Sequence, residues 1–161
     1  MTKAPGEGDL APEFDLPTDG GGRLSSAGLK GRPYVLFFYP KDDTSGCTKE
    51  AIGFTESHEE FRKLGVEVIG ASKDGVKSHD RFKEKHGLSV PLLSDEEGSF
   101  VEAWGSWVEK SMYGRKYMGI DRSTFLVDAD GRIVRSWRKV KVPGHVAEVL
   151  EAARQLAARA A

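Results

Sequence analysis

Cys47 is the one cysteine in a chain of 161 residues, and its neighbours decide what its sulfur can do. It stands in Tyr39-Pro-Lys-Asp-Asp-Thr-Ser-Gly-Cys47-Thr-Lys-Glu50, just after an apolar run and at the start of a stretch with helical periodicity. A thiol in the first turn of a helix meets orphan backbone N–H groups and the positive end of the helix dipole, and both favour the thiolate. The thiolate is the nucleophile, so a reactive sulfur is expected here. A lone cysteine forms no internal disulfide and supplies too few soft ligands for a structural zinc site, which leaves a buried inert thiol or a reactive one. Thr44, three residues upstream, can offer its hydroxyl to the sulfur, and Pro40 can shield one side. Helix capping is the ordinary role for Thr44 and Ser45.

The elements that must position these groups can be read from the pattern around them. Tyr34–Tyr39, bounded by Pro33 and Pro40, suits a strand buried on both faces. Cys47 to Leu64 carries Ala51, Phe54, Phe61 and Leu64 at helical spacing and stops at Gly65, which predicts one amphipathic helix. Val66–Ala71 follows as a strand, Val76–His86 as a helix ended by Gly87, and Val90–Leu93 as a short strand. Such alternation predicts parallel strands joined by helical crossovers. Ser123–Val127 and Arg132–Trp137 flank the turn Asp128-Ala-Asp-Gly131 and predict an antiparallel hairpin, so the sheet is mixed. Ala11 to Leu29, around Asp19-Gly-Gly-Gly22, predicts an N-terminal hairpin. Beyond Pro143, apolar Val146, Val149, Leu150, Ala153 and Leu156 predict a last helix. With an inserted helix near Ser99 to Trp104, the assembly is α/β and resembles an elaborated thioredoxin-like fold, a single domain over residues 1–161 with helices on a central mixed sheet.

The spacing Pro40-x-x-x-Thr44-x-x-Cys47 after an aromatic strand resembles the active-site signature of the peroxiredoxins. The longer string Phe-Tyr-Pro-Lys-Asp-Asp-Thr-x-Gly-Cys-Thr-Lys-Glu-Ala is similar to the bacterioferritin comigratory protein, or Q-type, subfamily. A second segment, Gly119-Ile-Asp-Arg-Ser-Thr-Phe-Leu-Val-Asp128, is similar to the one that brings an arginine to the site, which assigns that role to Arg122. A guanidinium beside sulfur favours its ionised form, and its fork can hold peroxide oxygens. Glu50 is expected to orient Arg122 from behind. The resemblance implies a thiol-dependent peroxidase for hydrogen peroxide and organic hydroperoxides, with no metal or organic cofactor. Many members of the subfamily carry a second, resolving cysteine five positions on; here that position is Ile52. The sulfenic acid on Cys47 must then be reduced by a thiol from outside: thioredoxin, glutaredoxin, glutathione or another Cys47. Ser45 also departs from the proline common there.

Other signals narrow the reading. The 24 basic and 25 acidic residues balance, so no global field draws the chain to nucleic acid or membrane. Met1 to Phe14 has no signal-peptide character, and the longest apolar run is too short for a bilayer, so a soluble cytoplasmic protein is expected; the pattern leaves open whether it works as a monomer or as a weak homodimer. His58, His79, His86 and His145 are expected to be solvated; Asp42 and Asp43 would raise the thiol pKa unless they face solvent or pair with Lys41 or Lys49, and they are expected to face outward. Arg132, Arg135, Arg138, Lys139 and Lys141 read as charges guarding a strand edge. Trp104, Trp107, Met112, Tyr113, Tyr117 and Met118 could line an entrance, a dimer contact or the core. The competing readings are a disulfide reductase, which Glu50 in place of the second cysteine of Cys-x-x-Cys opposes, and a thioredoxin-fold sensing or binding module without turnover.

Overall fold

A computed structural model describes residues 4–160. In chain order the elements are β1 (Asp15–Pro17), β2 (Arg23–Ser25), β3 (Tyr34–Phe38), α1 (Ser45–Glu56), α2 (His58–Lys63), β4 (Glu67–Ser72) and α3 (Val76–His86). There follow β5 (Leu92–Ser94), α4 (Ser99–Ala103), β6 (Trp107–Met112), β7 (Arg115–Ile120), β8 (Ser123–Val127), β9 (Ile133–Trp137) and α5 (His145–Ala160). The central sheet has five strands in the order β5-β4-β3-β8-β9. β3, β4 and β5 run parallel, whereas β8 is antiparallel to both β3 and β9, as the sequence predicts. β1 and β2 form the N-terminal hairpin. The fold is thioredoxin-like and α/β.

β3 explains the layering. All five of its residues are buried, and alternate side chains enter opposite cores. Val35, Phe37 and Tyr39 join Phe54 of α1, Phe61 of α2, Phe82 of α3 and Val149 of α5. Tyr34, Leu36 and Phe38 join Phe100 and Trp104 around α4 together with Phe14. Each face of a pleated strand takes every second residue, so a run with no polar member must be covered on both sides. Phe37 stacks on Phe54 at 4.5 Å, which presses α1 against the strand that precedes it. Gly70 on β4 is required here, because a Cβ would stand 2.8 Å from both Phe37 and Leu92 side-chain atoms.

Three differences from the sequence reading have physical causes. The helix expected over 47–64 is broken at Ser57 into α1 and α2, and the second piece turns Phe61 into the core. Residues 107–120, where only an aromatic cluster was expected, form the antiparallel hairpin β6–β7. Trp104 is fully buried, while Met112, Tyr113, Tyr117 and Met118 lie exposed on that hairpin, so the cluster divides between core and surface. β9 occupies the sheet edge, with Arg135 near Glu7 and Glu148.

Candidate active site

The link between Cys47 and Arg122 follows from register. β3 and β8 pair antiparallel with Phe38 opposite Ser123. One residue beyond that pair, the chain leaves β3 toward Pro40 on one side and arrives from Arg122 on the other. The two segments are therefore brought together by backbone pairing across 75 positions of sequence. Arg122 is held in turn through its carbonyl, which accepts the Val140 amide at 2.9 Å.

Thr44 ends the loop from β3 with extended backbone at the N-cap of α1, placing Cys47 in the first turn. The first amides of that turn have no partner within the helix. Cys47 is 1% exposed. Arg122 spans two partners: Nη2 donates to Cys47 Sγ at 3.4 Å, and Nη1 donates to Glu50 Oε1 at 2.8 Å. One planar fork thus reaches sulfur and carboxylate through two separate nitrogens, a fixed geometry that a single ammonium nitrogen does not offer. Gly46 makes room, since a Cβ there would lie 3.1 Å from Nη2. Glu50 is fully buried, and among the described residues its Oε2 has no hydrogen-bond partner. Burial raises the Glu50 carboxyl to about 7 against the pull of Arg122. Arg122 loses hydration too, but the facing Glu50 and Cys47 more than restore its charge.

Thr44 is exposed, and its hydroxyl donates to the Lys41 carbonyl at 2.8 Å rather than to sulfur. Pro40 is half-buried at the head of the same loop. Ile52, one turn beyond Cys47, packs against the core formed with α5.

Two expectations are corrected. Asp42 does not face outward: it is buried and accepts from the Tyr39 hydroxyl at 2.6 Å, from Ser78 at 2.8 Å and from His79 Nδ1 at 2.7 Å. Asp43 is exposed as expected, where it pairs with Lys85 and His86, and its φ of 61° places a non-glycine residue in the left-handed region. Nor are three of the four histidines solvated; His86 alone stays partly exposed, on Asp43. His58, His79 and His145 are buried, because each finds a partner: Ser89, Asp42 and Thr124. Burial pushes His145 down to about 4, so it is neutral between Phe54 and Trp137. The sequence signal for His79 was its spacing of three from buried Phe82, which places both on the inward face of α3.

Among the described residues no group of three His, Cys, Asp or Glu side chains could hold a metal ion. No helix among them is long and apolar enough to cross a membrane. A surface groove lined by Leu10, Phe14 and Gly131 lies at the Tyr34 end of β3, away from Cys47 beyond its Phe38 end.

Residues 8–136 match the AhpC/TSA family. The chain is 49% identical over 144 residues to peroxiredoxin Bcp of Bacillus subtilis, covering 89% of this chain and 92% of that protein. A solved Xanthomonas campestris bacterioferritin comigratory protein, described for its alkyl peroxide reduction activity, superposes with a TM-score of 0.86 at 42% identity, covering 89% of this chain and 92% of that one. A cysteine-to-serine mutant of PrxQ from Xylella fastidiosa gives a TM-score of 0.90 at 37% identity, covering 96% and 98%.

Proposed function

The chain belongs to the AhpC/TSA family as a peroxiredoxin of the Bcp, or Q-type, branch, a thiol-dependent peroxidase, and we propose that its turnover runs through Cys47 alone. The observation that carries this reading is the Arg122 guanidinium, bound to Cys47 Sγ with one nitrogen and to Glu50 with the other.

In the proposed cycle the Cys47 thiolate attacks the outer oxygen of a peroxide. An S–O bond forms, the O–O bond breaks, and sulfur loses two electrons to give a sulfenic acid while water or an alcohol leaves with a proton. Arg122 and the first-turn amides of α1 are aimed at the region where negative charge grows on the departing oxygen, which stabilises the transition state more than the ground state. Glu50 acts as a positioning residue, fixing the plane of the guanidinium. Pro40 shields the sulfur from bulk water. Thr44 must turn from the Lys41 carbonyl before its hydroxyl can serve the peroxide, and peroxide entry supplies the competing acceptor.

The second half of the cycle needs a thiol from outside, because no other cysteine exists in the sequence. That thiol condenses with the sulfenic acid, forming an S–S bond and releasing water; a second thiol then attacks the mixed disulfide and frees the Cys47 thiolate. Thioredoxin, glutaredoxin or glutathione would supply this sulfur, and we place the cycle in the cytoplasm, where such thiols stay reduced. The chain acts as one domain, a monomer or a weak homodimer.

The test is to add hydrogen peroxide or an organic hydroperoxide to purified protein, trap the sulfenic acid and weigh the intact chain, with Cys47→Ser as control. Rapid, peroxide-dependent labelling of Cys47 supports the reading. Oxidation no faster than that of a free thiol overturns it. Turnover with each reductant supplied singly then identifies the thiol donor.

A further inference from the structure

His79 lies on α3, is 0% exposed, and has an acceptor at each ring nitrogen. Nε2 faces the Leu93 carbonyl at 2.9 Å, and Nδ1 faces Asp42 Oδ2 at 2.7 Å. A backbone carbonyl only accepts, so Nε2 carries a proton; an ionised Asp42 requires a second on Nδ1. The arrangement is that of a buried imidazolium–carboxylate pair. Asp42 is further tied to α3 by Ser78, and its amide donates to Asp74 at 2.8 Å. The next residue, Asp43, binds Lys85 and His86 at the far end of α3. The segment between Pro40 and Cys47 therefore rests on α3 through polar contacts, in contrast to the apolar seat of Ala51 and Phe54 lower on α1.

We propose that His79 is a positioning residue for the reaction: by holding Asp42 it fixes the loop from Pro40 to Thr44 in the form that receives peroxide, and its release opens Cys47 to the reducing thiol. The inference rests on Cys47 being the peroxidatic sulfur. At 1% exposure that sulfur is out of reach of a second, bulkier thiol, so the loop and first turn must open during each cycle. A charge pair removed from water is a strong holder of geometry when both members are present and a source of strain when one is lost.

The charged ring is retained despite its burial. Burial opposes it, but the Asp42 carboxylate and the Leu93 carbonyl outweigh that effect and lift its pKa above the ordinary histidine value. The ionisable groups facing His79 are Tyr39 and Asp42 from the loop after β3 and Asp74 from the turn before α3; β5 presents the Leu93 carbonyl. The clamp therefore holds below the ordinary histidine value and loosens as pH rises through the folded-state value, which lies above it.

The experiment compares wild type with His79→Gln and with Ser78→Ala, which removes one donor to Asp42 but leaves the charge pair. The measured rates are capture of reduced Cys47 by iodoacetamide, oxidation by hydrogen peroxide, and reduction of the sulfenic acid by dithiothreitol. His79→Gln is expected to lower the peroxide rate ~10-fold and raise both other rates ~5-fold, the signature of a site displaced but opened. Ser78→Ala moves each rate the same way by a smaller factor. Amide hydrogen exchange over residues 41–47 speeds up in both variants while β3 stays protected. Iodoacetamide capture in wild type, corrected for thiolate fraction, rises again at alkaline pH, and His79→Gln lacks that second rise. Rates that all fall together, or that do not change, overturn the proposal. If His79→Gln does not unfold cooperatively, Ser78→Ala decides by the same measures. Absent peroxide oxidation in wild type would instead overturn the reading of Cys47, while alkylation and hydrogen exchange would still report whether His79 holds the loop.

Discussion

Replacing Glu50 by Gln tests the electrostatics of the site through stability as well as rate. The carboxylate is 0% exposed and its hydrogen-bond partner among the described residues is Arg122, so ionising it takes charge out of water with Oε2 left bare. Its carboxyl rises from 4.5 to about 7, and at ~1.36 kcal/mol per unit that shift is worth about 3 kcal/mol. The sign follows from proton binding. Between the two values the folded chain binds a proton that the unfolded chain has released, so stability declines as pH rises across this window. Integrated from about pH 5 to about pH 8, wild type should lose ~2.5 kcal/mol relative to Glu50→Gln. His79 and His145 titrate in both proteins and largely cancel in the difference. Urea unfolding at several pH values in this range, with the slope of the transition held common, measures it directly. The amide oxygen still accepts from Arg122, but without charge assistance, so peroxide oxidation of Cys47 should slow ~10-fold. A stability difference that stays flat with pH would refute the buried, proton-holding carboxylate.

Other substitutions separate packing from chemistry. Gly46→Ala should leave the fold intact or stabilise it by ~0.5 kcal/mol, yet slow peroxide oxidation ~5-fold, because the added Cβ meets the Arg122 nitrogen that binds sulfur; thermal unfolding and single-turnover oxidation read the two effects. Arg122→Lys keeps the charge and loses the fork between Cys47 and Glu50, so oxidation should fall ~10²-fold with little change in melting temperature. Phe54→Ala removes the ring stacked on Phe37 and should reduce unfolding free energy by ~4 kcal/mol in denaturant titration.

How far the sequence announced this site depended on what kind of contact carried each part. The buried strand Tyr34–Phe38 was legible because five apolar residues in a row admit few other environments. Cys47 at a helix start was legible from local order alone. Arg122 needed the family resemblance, since nothing in local pattern says that Phe38 pairs with Ser123. The Asp42 network was illegible for a different reason: Asp, His, Ser and Tyr look solvated one at a time, and only their convergence from the loop after β3, from α3 and from β5 makes burial affordable. The break at Ser57 was hidden because Phe54 and Phe61 keep a spacing that an unbroken helix also satisfies.

The same division between apolar and polar anchoring bears on how a one-cysteine cycle can proceed. Ala51, Phe54 and the half-buried Ile52 root α1 in the core with α5, where Gly53 allows Val146 to approach within 3.0 Å of the Cβ position. Unseating them would cost much of the stability of a marginally stable domain. Residues 40–47 are instead held by the contact of Arg122 with Cys47 and by side chains of α3 on Asp42 and Asp43, contacts that water can replace. Opening therefore has a natural boundary between Cys47 and Ala51. Oxygen added to Cys47 must share the space that Sγ and Arg122 Nη2 now fill at 3.4 Å, so oxidation itself weakens one of those polar holds. In the proposed cycle, peroxide reduction and exposure to the incoming thiol would thus be coupled through the same guanidinium, with the apolar half of α1 left in place to restore the site.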